Sequence, residues 1–196
     1  MILYLHGFRS SPQSLKARLM GQRMAQLGLQ ADYLCPQLPA SPAAAIALAE
    51  SLVAGVDAAE LSVVGSSLGG FYATWLAERH ACRAVLLNPA VKPPRDLESY
   101  VGVSTQYHSD EPFEFKREYI AQLQALTVPA ITRPERYFLL AATGDEVLDW
   151  REMVAHYPGA RQTVIQGSDH GIAEFADYLD EVLAFCGVPA QGKVPG

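Results

Sequence analysis

Residues 61–70, LSVVGSSLGG, constrain this chain more tightly than any other stretch. An apolar run of Leu61, Val63 and Val64 meets Gly65-Ser66-Ser67-Leu68-Gly69, and FYATWLAERH follows at once with helix-like spacing. The pattern reads as strand, sharp turn and helix, with a G-x-S-x-G pentapeptide on the turn. A serine placed there is forced into a strained backbone conformation that pushes its hydroxyl out above a sheet. Gly65 and Gly69 are expected because the chain passes too close to itself for a Cβ, and Gly70 reads as added slack. A helix starting at the serine turns its N-terminal N–H groups toward any negative charge that develops beside it. The spacing selects Ser67 as a nucleophile and leaves Ser66 as its neighbour. A plain Gly/Ser turn is the competing reading, because so short a pattern recurs by chance. The surrounding chain has to choose between them.

The 196 residues suit one domain with a sizeable core. Apolar residues make up 49% and charged residues 18%, a balance that excludes a disordered chain. A net charge of −6 argues against nucleic acid or an anionic membrane as partner. The three cysteines, Cys35, Cys82 and Cys186, follow no metal-ligand or disulfide spacing, so they read as reduced core thiols in a cytoplasmic setting. The MILYLHG start has no basic leader, and no stretch approaches the ~20 apolar residues of a membrane span. No metal site is expected.

Apolar runs at residues 2–5, 33–35, 61–65, 83–87, 136–142 and 162–165 read as six strands. Helical spacing falls between them. It covers residues 14–27, 42–54 after a Ser41-Pro42 start, the segment following Ser67, 148–157 and 174–185. Lys16, Arg18 and Arg23 read as a solvated face of the first helix. Such alternation predicts a three-layer α/β fold around a parallel sheet. Residues 91–134 break the rhythm, with one helix near residues 116–126; an insertion of this length is more often functional than idle. Its aromatics, Tyr100, Tyr107, Phe113, Phe115 and Tyr119, are expected mostly to pack the insertion down. The tail, residues 187–196, reads as disordered.

Two further loops carry polar groups past strand ends: TGDEV after residue 142, and GSDHG after residue 165. Ser67, Asp145 and His170 then occur in the chain order of a Ser-Asp-His triad on an α/β sheet. Glu146 and Asp149 are alternative acids, better suited to a helix N-terminus. His108 lies in an irregular stretch with no evident partner, and His6 is expected to shape its loop rather than move protons.

HGFRSSP, PQLP, VVGSSLGGFYATWLAE, NPAVKPP, TGDEVLDWRE and RQTVIQGSDH resemble the YqiA-type bacterial esterases, small members of the α/β-hydrolase superfamily. The resemblance spans residues 3–186. It implies a strand order of 2-1-3-4-5-6, with the first loop and the Ser67 turn flanking one crevice. It makes Ser67, Asp145 and His170 the catalytic residues, and the N–H groups of Phe8 and Leu68 the oxyanion donors. Residues 91–134 become a small cap, and no cofactor is required. The substrate implied is a small carboxylic ester, or a thioester. A coenzyme A thioester would also need cations, for which Lys92 and Arg95 stand nearest. Gly171-Ile172-Ala173 departs from the bulkier, aromatic-containing stretch expected there, which leaves the local pocket shape open. Thioesterase or acyltransferase chemistry at the same site, and a non-enzymatic acyl-ligand or protein-binding scaffold, remain the alternatives.

Overall fold

In the computed structural model, which describes residues 1–105 and 112–189, the chain opens with β1 (Ile2–Leu5) and α1 (Leu15–Gln26). A two-residue β2 (Tyr33–Leu34) follows, stopped by Pro36, and then α2 (Pro42–Val53). Ser41 caps α2 by accepting from the Ala44 N–H, and Pro42 occupies the first helical turn, where its missing donor costs nothing. Next come β3 (Ser62–Ser66), α3 (Leu68–His80) and β4 (Arg83–Leu87). The interrupted region contributes a short α4 (Pro93–Asp96), an antiparallel pair β5 (Gly102–Thr105) and β6 (Pro112–Phe115), and α5 (Glu118–Ala125). The chain closes with β7 (Tyr137–Ala142), α6 (Trp150–His156), β8 (Arg161–Ile165) and α7 (Phe175–Phe185).

Six strands form one parallel sheet in the order β2-β1-β3-β4-β7-β8, which is the order the resemblance implied. Because side chains alternate across a strand, each strand feeds two cores. Leu3, Leu5, Val63, Leu86 and Leu139 face α2, α3 and α5 in one layer. Ile2, Tyr4, Val64, Val85 and Leu140 face α1 and α7 in the other. Burial on both faces explains why the strands read as continuous apolar runs rather than alternating ones.

The β5–β6 pair was not anticipated. Val103 is the only large apolar residue of β5 and is solvent-exposed, so no apolar face marks the strand. Gly102 enters it at φ +136°, a conformation open chiefly to glycine. Tyr107 and His108, and the tail beyond residue 189, lie outside the described residues. Lys16 also departs from expectation: it is 7% exposed and turned inward, not part of a solvated face.

Gly70 is a packing requirement rather than slack. A Cβ there would stand 2.6 Å from Pro89 Cβ, so the crossing of α3 over the β4 exit admits only hydrogen. Gly70→Ala is expected to destabilise the chain by about 1–3 kcal/mol, as overpacking of a tight core typically does. Urea unfolding should show a lowered midpoint at constant slope; an unchanged midpoint would mean that Pro89 gives way freely.

Candidate active site

Ser67 follows β3 directly and precedes α3, at φ 55° and ψ −122°. A non-glycine residue in this region costs about 1–3 kcal/mol and persists only where its surroundings enforce it. Here they do. The Ser67 N–H donates to Leu87 O (3.1 Å), and Ser67 O accepts from the N–H groups of Gly70 (2.9 Å) and Ala90 (3.0 Å). Ser67 thereby points into a cavity of about 620 Å³ that is also lined by Phe8, Leu68, Glu146 and His170. Its Oγ makes no hydrogen bond among the described residues.

His170 stands on the loop after β8, its side chain 21% exposed. Its Nδ1 lies 2.7 Å from Oδ2 of Asp145, whose side chain is fully buried behind it. The other Asp145 oxygen accepts from the N–H groups of Val147 and Leu148, each at 2.8 Å. A carboxylate pinned on both oxygens cannot swing, and its bond to Nδ1 leaves Nε2 as the free ring nitrogen. Of the alternative acids, Glu146 accepts from the His170 backbone N–H (3.0 Å) and lines the cavity, and Asp149 caps α6. Neither meets the imidazole.

Asn88, the residue directly after β4, holds these loops together. It is fully buried at φ 42°. Its Oδ1 accepts from the Ala142 N–H (2.8 Å), and its Nδ2 donates to the carbonyls of Asp169 and His170 (3.1 Å each). One side chain thus joins the ends of β4 and β7 to the histidine loop. A run of Asn-Pro after an apolar strand was the only signal available. In the same loop Ile172 is fully buried among the residues of the α1/α7 layer. The aromatic-poor stretch is therefore filled from the core side, and Gly171 and Ala173 face the cavity.

The loop after β1 is set by His6. Its Nε2 accepts from the Leu38 N–H (2.9 Å), which requires the proton on Nδ1, and Nδ1 then donates to Gly7 O (3.0 Å). The Gly7 carbonyl also accepts from the Ser10 N–H (3.2 Å). Since the carbonyl and N–H of one peptide point opposite ways, holding this carbonyl aims the Phe8 N–H away from it. The Phe8 N–H has no acceptor among the described residues. Leu68, first in α3, has no intrahelical acceptor for its own N–H. The Phe8 ring is clamped edge-on by Tyr100, Phe113 and Phe115, with centroids 5.5, 5.1 and 5.2 Å away. Arg9 Nε further ties this loop to Thr105 O (2.5 Å). The aromatics of the insertion therefore brace the Phe8 loop, and Tyr100 also lines the cavity.

Lys92 and Arg95 do not point at the cavity as free cations. Both pair with Glu152, at 2.8 Å for Lys92 Nζ and for Arg95 Nη2. Those two partners hold the Glu152 carboxyl near 2, well below its usual range. No group of three or more His, Cys, Asp or Glu side chains among the described residues is placed to hold a metal ion. No helix there is long and apolar enough to cross a membrane.

Burial holds His6 below the usual imidazole range. Protonation would also place a hydrogen on Nε2 facing the Leu38 N–H. The folded state thus binds the proton more weakly than the unfolded chain, so the stabilisation is present above the unfolded value of 6.5. It is lost as pH falls through the lower folded value. Stability is expected to decline on acidification below about 6.5, and His6→Gln should flatten that part of the curve. Urea midpoints across pH 5–8 check it; parallel curves for the two proteins would refute it.

The fold has counterparts among solved structures. A crystal structure from Agrobacterium vitis S4 aligns with a TM-score of 0.73 at 19% identity, over 94% of this chain and 87% of that one. Mouse alpha/beta hydrolase domain-containing protein 10 aligns at 0.70 and 15%, over 93% and 89%. Est1E from Butyrivibrio proteoclasticus with ferulic acid bound aligns at 0.66 and 12%, over 93% and 87%. At such identities the likeness establishes the α/β-hydrolase fold. The family model described as "Uncharacterised protein family (UPF0227)" matches residues 1–187, nearly the whole chain, and the chain therefore belongs to the UPF0227 family.

Proposed function

We propose that the chain is a serine esterase that hydrolyses small carboxylic esters, or acyl thioesters, through an acyl-enzyme. The observation that carries this reading is the Asp145–His170 pair facing the same cavity as a strained, outward-turned Ser67. His170 Nε2 takes the Ser67 proton as Oγ attacks the ester carbonyl, and Asp145 fixes the tautomer and stabilises the imidazolium. The N–H groups of Phe8 and Leu68 receive the oxyanion; such a donor is typically worth about 3 kcal/mol in the transition state. His170 then protonates the departing alcohol or thiol, and water attacks the acyl-Ser67 bond by the same route in reverse. No step calls for a cofactor.

Residues 91–134 act as a cap in this scheme. Leu97 and Tyr100 from this segment supply apolar surface to one wall of the cavity, suited to an uncharged acyl or alcohol group. Lys92 and Arg95 are balanced by Glu152 and Asp96, which leaves no net charge there for a coenzyme A phosphate and favours simple esters. A solved esterase domain from a Rhodothermus marinus protein shares the fold, which supports an esterase reading.

Hydrolysis of a short-chain aryl ester and labelling by a fluorophosphonate probe test the proposal. Wild type is expected to turn over and to label. Ser67→Ala should retain its fold, lose labelling, and lose at least about 10³-fold in kcat. A folded wild type that neither labels nor turns over would refute the mechanism and bring forward a scaffold that binds an acyl ligand or a protein.

A further inference from the structure

Lys16 is the cavity-facing charge for which the proposed mechanism has no use. It is the second residue of α1, 7% exposed, and lines the same cavity as Ser67 and His170. Its ammonium donates to the carbonyl of Gly171 (2.5 Å), the residue directly after His170. That bond is its single hydrogen bond among the described residues, and no carboxylate lies within ion-pair distance. A lysine buried in this way is expensive to keep charged. Burial pulls it down to about 8, against the opposing influence of Asp169 and Asp145.

The charges around His170 come from several elements. Asp145, after β7, holds Nδ1; Glu146 accepts from the backbone N–H; Asp169 directly precedes it in the chain. Asp96, from α4, lines the cavity but is paired with Arg95. Asn88, after β4, contributes no charge. Lys16 is the single Lys or Arg side chain among the described cavity-lining residues, and it shares that cavity with the carboxylates of Glu146 and Asp169. A general base must be free of its proton at the working pH.

We propose that Lys16 is a positioning residue for His170: it anchors the Gly171 carbonyl, and its charge offsets the surrounding carboxylates so that the imidazole remains free to accept a proton. The inference rests on the esterase reading for its consequence in turnover, and on geometry for its effect on His170. It also accounts for a lysine in the first turn of a helix, where a positive charge is unfavourable with respect to the dipole.

Steady-state kinetics of wild type, Lys16→Met, Lys16→Gln and Lys16→Arg on a short-chain aryl ester between pH 5.5 and 8.5 test it. The acid limb of kcat/KM is expected to move upward by roughly half a pH unit or more in the Met and Gln variants. Their deficit should then be several-fold larger at pH 6 than at pH 8.5, expressed in kcat with KM little changed. Lys16→Arg should keep the wild-type limb. A loss by the same factor at every pH, together with a lowered melting temperature, would reduce Lys16 to a structural residue and overturn the proposal. If the variants do not fold, wild type alone decides. The ring signals of His170, assigned by their absence in His170→Asn, should show a second inflection near pH 8 as Lys16 titrates. A single inflection overturns the proposal. That measurement needs no turnover, so a protein inactive on esters would refute the esterase reading and still leave this one decided.

Discussion

At the end of β3 the backbones of three segments meet with no room for a side chain. A Cβ on Gly65 would fall 2.2 Å from the Gly69 carbonyl oxygen, and one on Gly69 would fall 2.0 Å from that of Leu5. This approach lets α3 start immediately beneath β1 and β4, and it forces the intervening residue, Ser67, to a positive φ. The strain is local, and the sheet that enforces it is not. Ser67 N–H bonds to the exit of β4, and its carbonyl receives N–H groups from both α3 and the β4 loop. Relaxing the turn would mean breaking contacts to several elements at once, so the serine is held outward by the fold as a whole.

Around that fixed point, the loops are tied by single buried polar side chains rather than by loop–loop packing. Asn88 joins the β4 and β7 exits to the histidine loop, His6 holds the Gly7 peptide, and Lys16 reaches from α1 to Gly171. Each spends its polar atoms on backbone groups. In a buried setting such bonds are costly to break, because each broken partner would remain without water. This suits loops that must hold a geometry without a regular ladder of their own. The insertion adds an apolar counterpart, three rings closing edge-on around Phe8. Cap and oxyanion loop are thus mechanically continuous in the proposed scheme.

Much of the fold was legible because its signals are local. Continuous apolar runs bounded by Gly, Pro and polar clusters marked all six sheet strands, and the Ser41-Pro42 start marked α2 to the residue. The β5–β6 pair escaped because its exposed strand carries no apolar periodicity. Ser67, Asp145 and His170 could be nominated from the sequence, since motif and chain order survive without coordinates, and the structure pairs Asp145 with His170 and puts Ser67 and His170 on one cavity. Lys16 was misread: helical spacing placed it beside Arg18 on an outward face, whereas the wall it meets is the histidine loop, far away in sequence. Asn88 could not be found either, because an asparagine after a strand looks the same whether it ends a turn or clasps two loops.

From the sequence alone follow the alternation of strands and helices, a glycine-flanked serine at a strand exit, and an acid and a histidine after the later strands. These are properties of neighbouring residues: periodicity, breakers and spacing act over a few positions and are written in order along the chain. The tertiary structure decided what the partners are. Burial of Lys16 beside Gly171, the orientation of Gly7 by His6 and the clasp made by Asn88 all join segments remote in sequence. Their geometry exists only once the sheet has brought those strand ends to one edge, where low dielectric and exclusion of water make each polar contact count.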